Sequence, residues 1–389
     1  MNENGMKKDK IFDKLNEYKE MDLSYDSGRI LGSMCTKPDS VGLEAYKMFI
    51  EANLGDEGLF NGTSIMEREV IQIMGELLHL EEASGHIVTG GTEANLMAMT
   101  VSKYLFQEKH DTTPEVILPR SAHFSFKKII SMLSLKAVYV PLTDDYKIDV
   151  SSLEDLITEN TMAIVAIAGT TELGVVDNIP EISKIAKKKN IYLHVDAALG
   201  GFIIPFMNKQ KQDQYKFDFI CEGVDSVTVD PHKMGLAPVH AGGIIFRNKK
   251  HLEKLAVQTP YLTKKQQTTI VGTRTGAGTA AIWTILKYYG KNGYKQEVNK
   301  IIQLTKYTYN ELKNMENIKT VISPELNIIS FIPQNIEVET LQKKLRLQGW
   351  YVSVSEHPHA IRLVIMPHVK KQYINEFLKN LKKIIKKQK

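Results

Sequence analysis

From about residue 85 to 247, short apolar runs alternate with segments of helical spacing, and this alternation constrains the fold more than any other feature of the chain. The runs "EVIL" (115–118), "AVYV" (137–140), "MAIVAIAG" (162–169), "IYLHVD" (191–196), "SVTVD" (226–230) and "GGIIF" (242–246) read as strands. Between most of them lie patterns such as "IPEISKIAKKK" (179–189), where Ile182, Ile185 and Ala186 share one helical face. Strands that are apolar on both faces need cover on both sides, so the expected fold is α/β, a mostly parallel central sheet between helices.

After about residue 290 a long helical pattern leads to strand-like runs at "NIISFI" (327–332), "WYVSV" (350–354) and "IRLVIM" (361–366). A closing amphipathic helix carries Ile374, Phe377, Leu378, Leu381 and Ile385 on one face. The expected organisation is a helical arm (1–50) with a loop at "GSMCTKPDS" (32–40), a large domain (51–285), and a small α+β domain (286–389). At 43% hydrophobic and 24% charged, the chain can bury a core of this size.

A net charge of +5, much of it in the closing "KNLKKIIKKQK", is too mild to imply nucleic acid as a partner. Two cysteines, Cys35 and Cys221, argue against a disulfide scaffold and fit a reducing cytosol. The opening residues lack the apolar core of a signal peptide, and no run is long enough for a membrane span. A cytoplasmic protein with no membrane partner is expected.

In an open α/β sheet, ligands sit beyond the carboxyl ends of the strands, and three motifs stand there. In "TGGTEANLMAM" (89–99), Gly90, Gly91 and Thr92 open a helix, where close backbone N–H groups and the helix dipole suit a phosphate. An ordinary capped turn is the plainer reading of that motif alone. In "LHVDAALGG" (193–201), Asp196 closes a strand, and Ala198 shares its side if the extended geometry continues. That pair leaves room for a flat ring whose protonated nitrogen meets the carboxylate. A helix-capping aspartate is the bland reading, and a His194–Asp196 metal pair lacks a third ligand, so no metal is expected. In "DPHKMG" (230–235), Lys233 beside His232 at a strand mouth is a candidate amine nucleophile for an aldehyde. A phosphate cradle, a carboxylate for a ring nitrogen and an aldehyde-binding lysine together describe pyridoxal phosphate (PLP).

The stretches "LGSMCTKP", "EANLGDEGLF", "TGGTEAN", "GTTELG", "HVDAALGG", "DPHKMG" and "GTRTG" also make the sequence recognisable. It resembles the group II PLP-dependent amino-acid decarboxylases, of aspartate-aminotransferase-like (type I) fold. Within them it is similar to the archaeal L-tyrosine/L-aspartate decarboxylases of methanogens, over nearly the whole chain. The resemblance implies that Gly91 and Thr92 hold the phosphate with help from Asp230 and His232. It implies that His123 stacks on one ring face with Ala198 on the other, and that Asp196 pairs with the ring nitrogen. Lys233 tethers the aldehyde, and Thr171 lies near the cofactor. Arg362 contacts a substrate carboxylate. Gly272 and Thr273 of "GTRTG" reach the phosphate of a neighbouring subunit, which implies a homodimer with active sites at the interface. Tyr261, in "QTPYLTKKQQTT", is implied to protonate the substrate carbanion; on composition alone it is an incidental loop tyrosine.

The "GAGTAA" stretch (276–281) imitates a dinucleotide-binding turn, but a helical run and no strand follows it. The expected activity is α-decarboxylation of an L-amino acid with release of CO₂. The resemblance supports L-tyrosine to tyramine, for methanofuran, and L-aspartate to β-alanine, for coenzyme A. Decarboxylation of glutamate or another aromatic amino acid, and a PLP transferase or lyase of the same fold, are the alternatives. The loop at 32–36, Thr36 included, and "SEHPHAIR" (355–362) are expected to line the substrate slot together with the Tyr261 loop.

Overall fold

The computed structural model describes residues 4–387; the first three residues of the expected arm and the last two of the basic tail lie outside the described residues. Strands β1 (Ser84–Val88), β2 (Glu115–Pro119), β3 (Lys136–Val140), β4 (Thr161–Ile167), β5 (Tyr192–Asp196), β6 (Val224–Val229) and β7 (Gly242–Phe246) form one sheet, in the order β1-β7-β6-β5-β4-β2-β3. All pairings are parallel except those of β7, which runs against both β1 and β6. Every residue of β2, β4, β5 and β7 is buried, as their continuous apolar runs require, whereas edge strand β3 exposes Lys136 and Tyr139. The sheet is therefore mostly parallel and covered, as expected.

Helix Gly91–Gln107 packs across β4, β5, β6 and β7, starting three residues beyond the end of β1. The opposite side of the sheet takes Ile179 and Ile182 of helix Ile179–Lys189 into the main core. A ribbon of β8 (Val257–Gln258) and β9 (Gln266–Gln267) follows, then the long helix Gly276–Lys313, interrupted at Gly290, where φ is 53°. Its register carries it across the expected boundary at 285/286.

The second sheet is antiparallel, in the order β10 (Ile318–Thr320), β11 (Ile328–Pro333), β13 (Ala360–Val364), β12 (Ser353–Ser355). The closing helix Lys371–Lys386 buries Ile374, Phe377, Leu378, Leu381 and Ile385, the stripe read from the sequence, and also Ile384. The N-terminal region is less detached than an arm. Helix Lys8–Met21 buries nothing within the chain, but Ile30 bridges to Tyr351, and Gly42 packs against Ile285 of the long helix. Among the described residues no helix is long and apolar enough to cross a membrane.

Candidate active site

Beyond the carboxyl ends of β1, β4, β5 and β6 lies a cavity of about 370 Å³, within the range of small-molecule sites. It is lined by Gly90, Gly91, Thr92, His123, Thr171, Asp196, Ala198, Asp230, His232 and Lys233, so residues scattered over the sequence converge on one cavity. Met34, Asn95 and His240 also face it.

The cradle is forced to be small. A Cβ on Gly91 would lie 3.0 Å from Asp230 Oδ2 and 3.4 Å from Ala198 Cβ, and one on Gly90 would lie 3.0 Å from His232 Cε1. Gly91 begins the helix, so the N–H groups of its first turn have no intrahelical acceptor, and Gly90, Gly91 and Thr92 line the cavity at that end. No side chain caps this helix; Glu93 instead reaches back to the strand end, accepting from Thr89 N at 2.8 Å and Thr89 Oγ1 at 2.7 Å.

Asp196 ends β5 and is buried. Its Oδ1 accepts from Ala198 N at 3.1 Å and its Oδ2 from Asn95 Nδ2 at 2.9 Å. An acceptor-only carboxylate facing a cavity suits a protonated ring nitrogen. His194, considered above as half of a metal pair, bonds instead to Ser226 and Asn95.

Lys233 follows β6 in a turn closed by its N–H to Asp230 O, at 2.9 Å. Gly235 is needed there, because a Cβ would lie 2.6 Å from the Pro231 backbone. Lys233 Nζ lies 3.0 Å from Asp230 Oδ2. This revises the reading of Asp230. A carboxylate offers a phosphate no donor, and this one pairs with the amine instead. His232 keeps its expected side. Its Nδ1 accepts from Ala241 N at 3.3 Å, so the neutral ring carries its proton on Nε2, beside the cradle. Burial lowers the pKa of both His232 and His123, which favours neutral rings.

Four predicted groups stand apart from this cavity. Thr36 is 4% exposed and its hydroxyl bonds His368 Nδ1 at 2.9 Å, so Met34 of the same loop, rather than Thr36, faces the cavity. Arg362, on β13, donates from NH1 to Gly32 O (3.1 Å) and Ser353 Oγ (3.0 Å), while its buried Nε and NH2 have no partner. Gly272 and Thr273 are exposed. Tyr261 is 85% exposed, in a loop clasped to the 56–58 segment by Thr263 and Lys264, which bond Asp56 and Glu57.

A model of the pyridoxal-dependent decarboxylase conserved domain matches residues 62–333, which holds the cradle, Asp196 and Lys233. The chain belongs to the pyridoxal-dependent decarboxylase family. It is thus a PLP-dependent carboxy-lyase, and the cavity fits that cofactor in its donor cradle, acceptor carboxylate and amine. The chain is 66% identical to a probable L-tyrosine/L-aspartate decarboxylase of Methanosphaera stadtmanae, with both chains fully covered. It is 46% identical to the L-aspartate/L-glutamate decarboxylase of Pyrococcus horikoshii, over 98% of each chain. A sphingosine-1-phosphate lyase from Burkholderia pseudomallei shares the fold, with a TM-score of 0.91 at 24% identity over 99% of this chain and 92% of that one.

Sequence reasoning missed Asn95. A polar residue one turn after Gly91, between Ala94 and Ala98 on the buried face of that helix, is the signal that would have exposed it.

Proposed function

We propose that the protein decarboxylates L-tyrosine to tyramine and L-aspartate to β-alanine, as a cytoplasmic homodimer serving methanofuran and coenzyme A synthesis. The names of its relatives support these substrates. The observation that carries the reading is the convergence of the Gly90–Gly91 cradle, Asp196 and Lys233 on one cavity; Arg362, outside its lining, keeps a buried Nε and NH2 without partners, a cation that an anion such as a carboxylate would satisfy. Burial pushes its pKa down to about 10, with the Glu172 charge opposing, which still leaves it cationic at neutral pH.

When bound, PLP supplies an electron sink for the pair left behind as CO₂ departs. The remaining work falls to the chain. The N–H groups of the cradle and His232 Nε2–H hold the phosphate, Asp196 accepts from the ring nitrogen, and His123 and Ala198 confine the ring between them. Lys233 would tether the aldehyde through its amine, and Asp230 would hold that amine in place when it is free. The cavity walls would hold the substrate so that the bond to its carboxylate is the one whose electrons the cofactor takes up. Tyr261 of a second copy protonates the substrate Cα as general acid, and Gly272 and Thr273 of that copy close over the phosphate. Residues 1–50, 51–285 and 286–389 then act as arm, cofactor domain and small domain.

Release of CO₂ and formation of amine from tyrosine, aspartate, glutamate, phenylalanine, tryptophan and histidine test the substrate reading. Borohydride reduction followed by peptide mass spectrometry tests the tether. Turnover of tyrosine and aspartate, with the cofactor mass on Lys233, is expected. Activity confined to other amino acids, or label on another lysine, refutes the corresponding part.

A further inference from the structure

Five buried polar side chains, Asp196 among them, are joined without a gap. His194 and Asp196 alternate along β5, and their register partners on β6 are Ser226 and Thr228, so all four point to one face of the sheet. Helix Gly91–Gln107 lies over that face and lowers Asn95 among them. Asn95 Nδ2 donates to Asp196 Oδ2 at 2.9 Å, and Asn95 Oδ1 receives Thr228 Oγ1 at 2.8 Å and His194 Nε2 at 3.0 Å. The other ring nitrogen, His194 Nδ1, meets Ser226 Oγ at 2.8 Å. Apart from Asp196, these groups are at most 1% exposed.

The chemistry of the donors permits one arrangement. A carboxylate only accepts, so the amide must turn its NH₂ to Asp196 and its oxygen to Thr228 and His194. That oxygen in turn requires a proton on His194 Nε2, which leaves Nδ1 bare to accept from the Ser226 hydroxyl. Each group therefore fixes the direction of the next. Burial lowers the His194 pKa to about 4, in keeping with the neutral ring this pattern needs.

We propose that Asn95 and His194, braced by Thr228 and Ser226, are positioning residues that hold Asp196 oriented as the acceptor for the cofactor's ring nitrogen. The proposal rests on the reading of Asp196 given above and adds the residues that make that carboxylate selective for a ring N–H. Neither touches the reacting atoms of the substrate; both act through Asp196.

The test compares binding of PLP with binding of its carbocyclic analogue, in which C–H replaces the ring nitrogen, to the apoenzyme of each variant. Asn95→Ala is expected to weaken PLP roughly 10- to 100-fold, as for loss of a hydrogen bond to a charged group, and the analogue by less than about twofold. His194→Leu should act in the same direction, and His194→Gln, whose amide N–H reaches the same oxygen, should restore discrimination. Thermal melting of each apoenzyme checks the fold. If Asn95→Ala does not fold, Thr228→Val removes only the hydroxyl that orients the amide, and it should reduce discrimination in the same way. Equal weakening of both compounds would mean a structural role only and would overturn the proposal, as would unchanged discrimination. Asp196→Ala separates the two readings. If it too keeps the parent's preference for PLP over the analogue, the assignment of Asp196 to the ring nitrogen falls; if it alone loses that preference, only the relay falls.

Discussion

Replacing Gly242 by alanine should damage the phosphate cradle without touching the cofactor. Gly242 opens β7 opposite Val88 of β1, two residues before the cradle. A Cβ on it would lie 2.4 Å from Gly90 Cα and 2.7 Å from Gly90 N and C, whereas ordinary contacts are at 3.4–4 Å. The two backbones must separate by about 1 Å. Neither is a flexible side-chain tip, and Gly90 is itself wedged against His232, so the displacement falls on the cradle. Overpacking of this kind costs about 1–3 kcal/mol, equivalent to roughly a 5- to 150-fold loss of PLP affinity if it falls wholly on the bound state. The assay is titration of apoenzyme with PLP and with pyridoxal, which lacks the phosphate. Gly242→Ala should lose affinity for PLP and lose little for pyridoxal. Gly62→Ala, with no atom within 4 Å of its Cβ, should bind both as the parent does. Parent-like affinity of Gly242→Ala for PLP, or an equal loss for both ligands, would refute the reasoning.

Other perturbations have equally defined outcomes. Glu67→Gln strips the buried Arg274 of its carboxylate, held at 2.5 and 3.2 Å, and should destabilise the fold by about 3–5 kcal/mol in urea unfolding; a change below about 1 kcal/mol would show that the pair is dispensable. His194 is neutral when folded, with a pKa lowered by burial to about 4 from 6.5. Between these values the unfolded chain binds the extra proton, so the His194 contribution is complete above pH 6.5 and is lost as pH falls towards 4. That gap corresponds to about 3 kcal/mol, and His194→Gln should flatten the stability profile in this window; an unchanged slope would contradict it. Arg362→Met should leave the apoenzyme at least as heat-stable as the parent, because an incompletely paired buried cation is removed, while the KM for the amino acid rises about tenfold or more. A lower melting temperature with an unchanged KM would make Arg362 purely structural.

The parallel sheet was legible because strands buried on both faces are mostly apolar, as β4 is after Thr161 and as β5 and β6 are apart from His194, Asp196, Asp225, Ser226 and Thr228. Their ends were legible as a site because Asp196 and Lys233 break those runs at the positions where a doubly covered sheet opens to ligands. Strand β1 was harder: "SGHIV" is short, contains glycine and histidine, and is only half buried over its first three residues. Strand β10, three residues long, has no periodicity to read. The role of Asp230 was obscured for a different reason. The family resemblance set it with His232 at the phosphate, whereas the turn folds the carboxylate back onto Lys233 Nζ. Thr36 was likewise displaced by a long-range partner, His368, which no local pattern announces.

The separation of Tyr261 from its own chain's cavity gives the proposed dimer a decisive test. The Tyr261 loop is clasped to Asp56 and Glu57. The "GTRTG" loop is bolted through Arg274 to Glu67, which also accepts from Ile87 N at 3.0 Å, three residues before Gly90. Both loops are thus fixed to the body that carries the cradle, with Tyr261 turned outwards. If Tyr261 of one copy serves Lys233 of the other, two inactive variants should repair each other. In a dimer of Lys233→Ala with Tyr261→Phe, one site receives both defects and the other receives neither. Random mixing makes about half of the dimers hybrid, each with one intact site, so amine formation should recover to about a quarter of the parent rate. If Tyr261 instead swings into its own cavity, every site in the hybrid carries one defect and mixing restores nothing. Dissociation and reassociation of the two variants, followed by amine detection, separates these outcomes. A mixture as inactive as its components, with hybrids present by mass spectrometry, would return Tyr261 to its own subunit.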